Sequence, residues 1–219
     1  MAQFASPRDY SVAEQHAESV ATSIANPIPL GLGALAFTTA ILGCVYAGFI
    51  VFGSSLAIAI GFAFFYGGIV QLLAGMWEFR RGNTLAATVF SSYGGFLLAL
   101  SVSLGPVLGV ASPLRTPTIA HPVLGLFFLC WTIFTGVLFL GALRSSLAFL
   151  IVLGLLFIAY LLLTIGELAG GVPALLLAGG WVAIVCALVA WYTALASILR
   201  SANGAFRLPV GLISSPTVV

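Results

Sequence analysis

Long apolar runs alternate with short polar breaks along almost the whole chain. The runs lie at about Leu30 to Val51, Leu56 to Trp77, Leu85 to Gly109, from His121-Pro122 to about Leu143, Leu147 to Gly166, and Ala174 to Leu199. A helix needs roughly 20 such residues to cross hydrocarbon. Because a helix satisfies its own backbone hydrogen bonds in lipid, the pattern predicts an all-α membrane protein with six transmembrane helices.

The breaks mark where those helices begin and end. Asn26-Pro27-Ile28-Pro29 is a helix start: asparagine caps, and proline occupies a first turn whose amides have no acceptor within the helix. Gly53-Ser54-Ser55, Arg80-Arg81-Gly82-Asn83, Arg144-Ser145-Ser146 and Glu167 to Pro173 read as turns, and the segment with Ser112-Pro113, Arg115 and Pro117 as the longest loop. Residues 1–25 form a polar tail in which Val12 to Ile24 can make a short interfacial helix. Residues 26–200 then form the six-helix domain and 201–219 a second tail.

Arginine placement predicts orientation. Six spans put both tails, the second loop and the fourth loop on one side, with Arg8, Arg80, Arg81, Arg144, Arg200 and Arg207; only Arg115 lies opposite. Positive loops stay in the cytoplasm, so both termini are expected there, with the domain integral to the plasma membrane.

Composition removes other classes. The chain is 62% hydrophobic and 5% charged, against the roughly 25% charge of soluble domains. A net charge of +2 does not suggest a nucleic-acid partner. Cys44, Cys130 and Cys186 are isolated in apolar runs and read as small buried hydrophobes, while the first 25 residues lack the apolar core of a cleaved signal peptide. No paired-histidine metal motif, serine elbow, phosphate loop or acidic dyad is present, so neither an enzyme nor a cofactor is expected. Any transport is passive or driven by an ion gradient.

Helix faces carry the remaining information. Gly33, Ala36, Ala40, Gly43 and Ala47 make a small-residue stripe on the first helix, and Gly61, Gly68 and Gly75 repeat it on the second. Such stripes let helices approach closely. Phe64, Gln71 and Glu78 recur every seven residues and share a line; buried in hydrocarbon, such polar groups require partners or a wet path. Thr84, Thr88, Ser91, Ser92, Gly95 and Ala99 mark the third helix, whose hydroxyls serve either as interhelical contacts or as bonds back to their own helix. Tyr93, near mid-helix, needs a hydroxyl partner. Glu78 is expected either to pair with Arg80 or Arg81 or to shape a vestibule. Glu167 is expected to be a solvated loop residue, and His121 a capping or interfacial one.

The opening Asn26-Pro27-Ile28-Pro29-Leu30-Gly31-Leu32 resembles the N-P-A-P-L-G-L signature of the acetate uptake transporter family, which includes bacterial succinate-acetate permeases and fungal relatives linked to acetate uptake and ammonia export. Phe65-Tyr66-Gly67-Gly68, Gln71, Ala74-Gly75, Glu78, Gly82-Asn83-Thr84 and Ser92-Tyr93-Gly94 resemble its second-to-third helix core. The resemblance spans about Asn26 to Leu199, with Ile28 replacing the usual small residue. It implies a six-helix bundle assembled as a homo-hexamer with a pore in each subunit, passing acetate and related small carboxylates, possible succinate included, as a channel or proton-coupled carrier. By position it implies a constriction of Leu35, Tyr93 and Leu156, where Leu35 replaces an aromatic residue, and places Thr38 near bound acetate. Asn26, Tyr66, Gln71, Glu78, Thr88 and Ser92 complete the expected pathway. If the solute crosses as neutral acid or with a proton, uptake rises as pH falls. Two alternatives stand beside this reading: passage of ammonia or ammonium, and a non-transporting membrane assembly or sensor protein.

Overall fold

The computed structural model describes residues 24–49, 54–104, 117–202 and 208–211. Within them are six helical segments long and apolar enough to cross a membrane. The first is Ile28–Tyr46. The second joins Ser54–Phe62, a π-helical stretch Ala63–Val70, and Gln71–Arg80. Thr84–Leu104 is the third, and Pro117–Gly141 with a 3₁₀ turn Ala142–Arg144 the fourth. Leu147–Leu168 and Pro173–Ser201 are the fifth and sixth. The expected amino-terminal tail, the loop around Arg115 and most of the carboxy tail lie outside the described residues.

Local chemistry explains the boundaries. The first helix stops at Tyr46, short of the expected Val51, because Gly48 takes a φ of +79° that L side chains rarely adopt. The Phe49 amide then donates to the Cys44 carbonyl at 2.9 Å, closing the helix end. Ser146 caps the fifth helix by accepting from the Phe149 amide at 3.3 Å, and Asn83 accepts from Ala86 in the same way. The fourth helix begins at Pro117, so His121-Pro122 lies inside it instead of opening it.

The second span departs most from the sequence reading. In a π-helix the bonds run from i to i+5, so its residues rotate away from ordinary helical register. Phe64 is thereby only half-buried, while Gly67, Gln71, Ala74 and Glu78 form the buried line. The expected alignment of Phe64 with Gln71 and Glu78 is broken at Phe64.

The first span packs on the sixth, the sixth on the fifth and the fifth on the fourth, while the second packs on the third and on the first. Small residues carry these approaches. A Cβ on Gly43 would lie 2.8 Å from the Gly180 carbonyl, and one on Gly180 would lie 2.6 Å from the Ala47 amide. Gly75 is pressed against Ser91 and Ala87, and Gly68 against Leu98, whereas Gly61 meets nothing within 4 Å among the described residues. The third and fourth helices scarcely touch along their backbones; large side chains bridge them. Trp131 stands over Tyr93 and Phe96 at centroid distances of 5.7 and 4.6 Å. Of the three cysteines only Cys186 is buried; Cys130 is exposed on the outer side of this seam, correcting the expectation that all three are buried.

Candidate functional site

At one end of the bundle Asn26 is the hub. Its Oδ1 accepts from the Ile28 amide at 3.2 Å and from Arg81 Nη1 at 2.9 Å, and its Nδ2 donates to Ser197 Oγ at 3.1 Å. The same Arg81 nitrogen donates to Glu78 Oε1 at 3.0 Å. Glu78 is wholly buried and the Arg81 side chain is 28% exposed, so a dry carboxylate lies beneath a partly wetted guanidinium. This arrangement explains the opening motif. Asn26 ties the first, second and sixth spans together, and the two prolines start the helix. Leu30 points outward, Gly31 admits the Phe90 ring, and Leu32 enters the core.

Beside the hub is a cavity of about 210 Å³ with Asn83, Ser145, Ser146, Thr193, Ser197 and Arg200 on its walls. Ile28 and Leu32 supply its apolar side. The segment Leu208 to Gly211 runs along its edge: Leu147 and Ala148 amides donate to the Gly211 and Val210 carbonyls at 2.7 and 3.1 Å, and the Tyr192 hydroxyl donates to the Pro209 carbonyl at 2.8 Å. Asn26, Glu78 and its expected partner Arg81 were singled out from the sequence; Asn83, Ser145, Ser146 and Arg200 entered only as motif, turn or orientation residues, and Thr193 and Ser197 not at all. Serines in a turn and an arginine at a helix end look like ordinary solvated residues until the fold places them around one hollow.

The middle of the bundle is apolar. Leu35, Tyr93 and Leu156 come together in one core with Leu32, Leu153, Phe96 and Tyr160, each 3% exposed or less. Thr135 spends its proton on the Trp131 carbonyl at 2.6 Å, so the Tyr93 hydroxyl is the donor in the 2.7 Å bond between Tyr93 and Thr135. That bond holds the tyrosine ring across the bundle. Thr132 likewise donates to Phe128 and receives a bond from Thr164, giving the fourth–fifth contact a short chain of hydroxyls.

At the opposite end, Glu167 is 3% exposed and not a solvated loop residue. Tyr46 donates to its Oε1 at 3.0 Å, and His121 Nδ1 pairs with its Oε2 at 2.5 Å. One carboxylate thus links the ends of the first and fifth spans to the start of the fourth. His121, of which a capping or interfacial role was expected, is its partner; lying inside the fourth helix it does not cap, and its side chain remains 29% exposed at this end of the bundle. Hydrogen bonds to a charged group contribute about 1.5–3 kcal/mol, so Tyr46→Phe is expected to destabilise the protein by about that amount. Thermal denaturation in detergent measures it.

The other expected pathway residues divide by helix face. Gln71 is completely buried, with both amide atoms unpartnered, and Tyr66 turns its hydroxyl toward Gly33. Thr38 is buried but donates to the Ala34 and Leu35 carbonyls of its own helix at 2.8 and 3.2 Å. Thr88 bonds back to Thr84 at 2.8 Å. Ser92 lies, with Gly95, Ala99, Cys130 and Phe134, along an outward groove of about 470 Å³ between the third and fourth spans. The structure does not bring Thr88 and Ser92 to the side where Tyr93 sits.

Six apolar spans enclosing polar groups at both ends and an aliphatic and aromatic middle define an integral membrane protein of the helical-bundle class. The chain belongs to the GPR1/FUN34/yaaH family, which it matches over residues 10–215. It is 41% identical over 203 residues to acetate permease A of Emericella nidulans, covering 87% of this chain and 67% of that one. It is 35% identical over 191 residues to the succinate-acetate/proton symporter SatP of Escherichia coli K12, covering 87% and 97% of the two chains. Ammonia transport outward protein 2 of Saccharomyces cerevisiae is 35% identical over 181 residues, covering 82% and 63%. Among solved structures, that of the bacterial acetate channel SatP aligns with a TM-score of 0.76 at 34% identity, covering 86% of this chain and 99% of the other. These relatives are transporters and channels, not enzymes.

Proposed function

We propose that this chain passes acetate and related small carboxylates, succinate among them, across the plasma membrane, as a channel or a proton-coupled carrier. The observation that carries the reading is the buried apolar core that holds Leu35, Tyr93 and Leu156, set between polar clusters at the two ends of a single bundle; in this reading those three residues form the waist of the path. The names of the relatives supply the solute. A carboxylate is drawn into the cavity by Arg200 and exchanges water for the hydroxyl and amide groups around it. It then meets an apolar ring that excludes bulky or strongly hydrated solutes. The arginines at the Asn26 end, Arg80, Arg81, Arg144 and Arg200, support a cytoplasmic assignment for that end and, with an even number of spans, for both termini.

In the same reading the protein is a homo-hexamer with one path per subunit. The outward face of the third span, with Thr84, Thr88, Ser92, Gly95 and Ala99, suits a neighbouring copy, because small residues let helices meet closely where lipid gives no hydrophobic drive. Ammonia passage is a second reading, favoured by the yeast relative's name. Propionate or succinate should inhibit labelled acetate flux if carboxylates are the solute, and ammonium should not.

The waist is tested in liposomes. Tyr93→Trp adds bulk where Tyr93 is already fully enclosed, and is expected to lower protein-dependent acetate uptake at least about tenfold. Uptake equal to that of protein-free vesicles in the unaltered protein would overturn the reading.

A further inference from the structure

Gln71 has a side chain that nothing in the fold explains. It is 0% exposed, and neither its Nε2 nor its Oε1 has a hydrogen-bond partner among the described residues, although buried amides are ordinarily paired. Its height in the bundle is set by its neighbours. Gly94, adjacent to Tyr93, packs against Gly68 and Leu72, which bracket Gln71 from either side. One turn away on the same face, Gly67 meets Thr38 and Leu97; in the other direction the face continues through Ala74 to Glu78. Gln71 therefore stands beside the waist, on the buried face that meets the first and third spans.

We infer that Gln71 recognises the undissociated form of the permeating acid by pairing with its carboxyl group. This inference rests on the carboxylate-transport reading above. A primary amide presents one donor and one acceptor on the same edge, and an undissociated carboxyl presents the complementary acceptor and donor. The two close a ring of two hydrogen bonds. A carboxylate offers two acceptors, so one oxygen meets Nε2–H and the other faces Oε1 with no proton between them.

The surroundings reinforce that choice. Among the described residues every arginine lies at a helix end and His121 in the first turns of the fourth helix, paired with Glu167 at the far end of the bundle, so no cation compensates an anion at the level of Gln71. The titratable groups on the surrounding elements are Tyr66, Glu78 and the exposed Arg80 on its own span, Arg81 beyond its end, and Tyr93 on the third span; the first span has only Cys44 and Tyr46, near its far end. Thr38, whose proton is already donated to its own helix, can accept a hydrogen bond but offers none to an anion. An isolated charge is far costlier to bury than a paired neutral group. The neutral acid thus crosses the waist, and its proton crosses with it.

Acetamide is the diagnostic probe, because it carries the same donor and acceptor edge with no charge at any working pH. In proteoliposomes, with protein-free vesicles subtracted at each pH, acetamide should inhibit labelled acetate uptake. The rate should follow the undissociated fraction of acetate and keep that dependence in Glu78→Gln. Gln71→Met conserves length and removes the amide: uptake should fall at least about tenfold and acetamide inhibition should vanish. Its melting temperature in detergent should equal or exceed that of the unaltered protein, because an unpartnered buried amide has been removed. A structural glutamine would give the opposite sign. Retention of uptake or of acetamide inhibition in Gln71→Met, loss of stability in that variant, or loss of the pH dependence in Glu78→Gln overturns the inference. If the unaltered protein shows no uptake above protein-free vesicles, the transport reading fails by itself. Stabilisation by acetamide of the unaltered protein but not of Gln71→Met then supports the amide pairing, and its absence refutes it.

Discussion

Arg81→Ala is expected to destabilise the protein by about 3 kcal/mol and to lower its melting temperature more than any other single loss of a hydrogen bond at this end. Removing the guanidinium leaves the wholly buried Glu78 carboxylate without a cation and also takes a donor from Asn26. The estimate stands at the low end of the range for a broken buried pair because Arg81 is 28% exposed, so water replaces part of its field. Glu78→Gln in the same chain removes the stranded charge and should restore much of the loss. A double-mutant cycle in detergent checks this, and equal melting temperatures for Arg81→Ala with and without Glu78→Gln would contradict it.

Gly180→Val should prevent accumulation of folded protein. A Cβ there would sit 2.6 Å from the Ala47 amide nitrogen and 2.8 Å from the Tyr46 carbonyl carbon, and these are backbone atoms that cannot rotate aside. The first and sixth helices would have to separate, and this is the most extensive helix pairing in the bundle. Overpacking of this kind costs about 1–3 kcal/mol when side chains can adjust, and more where backbone must move. The measurement is the yield of monodisperse protein after detergent extraction. The contrasting variant is Gly61→Val, whose added Cβ meets nothing within 4 Å among the described residues and should leave that yield unchanged.

These two expectations show how differently parts of the molecule can be read. The Asn-Pro-Ile-Pro-Leu-Gly-Leu opening announces a helix start by chemistry local to the chain, and the helix does begin at Ile28. That Asn26 also receives Arg81 and reaches Ser197, 171 positions away, follows only from how three helices converge. Glu167 is the sharper case. A carboxylate followed by a glycine-rich turn has the local signature of a solvated residue, yet Tyr46 and His121 arrive from distant segments and enclose it.

The number of spans and their helical nature were decided by the sequence itself, because hydrocarbon admits few solutions for an uncharged run of this length: the backbone must bond internally, so each run becomes a helix. The small-residue stripe on the first helix was legible because regular helical spacing sets which residues share a face; on the second helix Gly68 and Gly75 make close approaches and Gly61, beyond the π-helical stretch, does not. Only the tertiary structure decided which polar groups share a space. The π-helical stretch at Ala63–Val70 rotated Phe64 out of its expected line and left Gln71 and Glu78 on the buried one. Packing decided that the Tyr93 face of the third helix is enclosed while the Thr88 and Ser92 face is left on the outer side, and gathered Ser145, Ser146, Ser197 and Arg200 around one cavity. A membrane helix reads its own period and the surrounding lipid; the partners of its polar side chains belong to other helices, and their positions exist only once the bundle has closed.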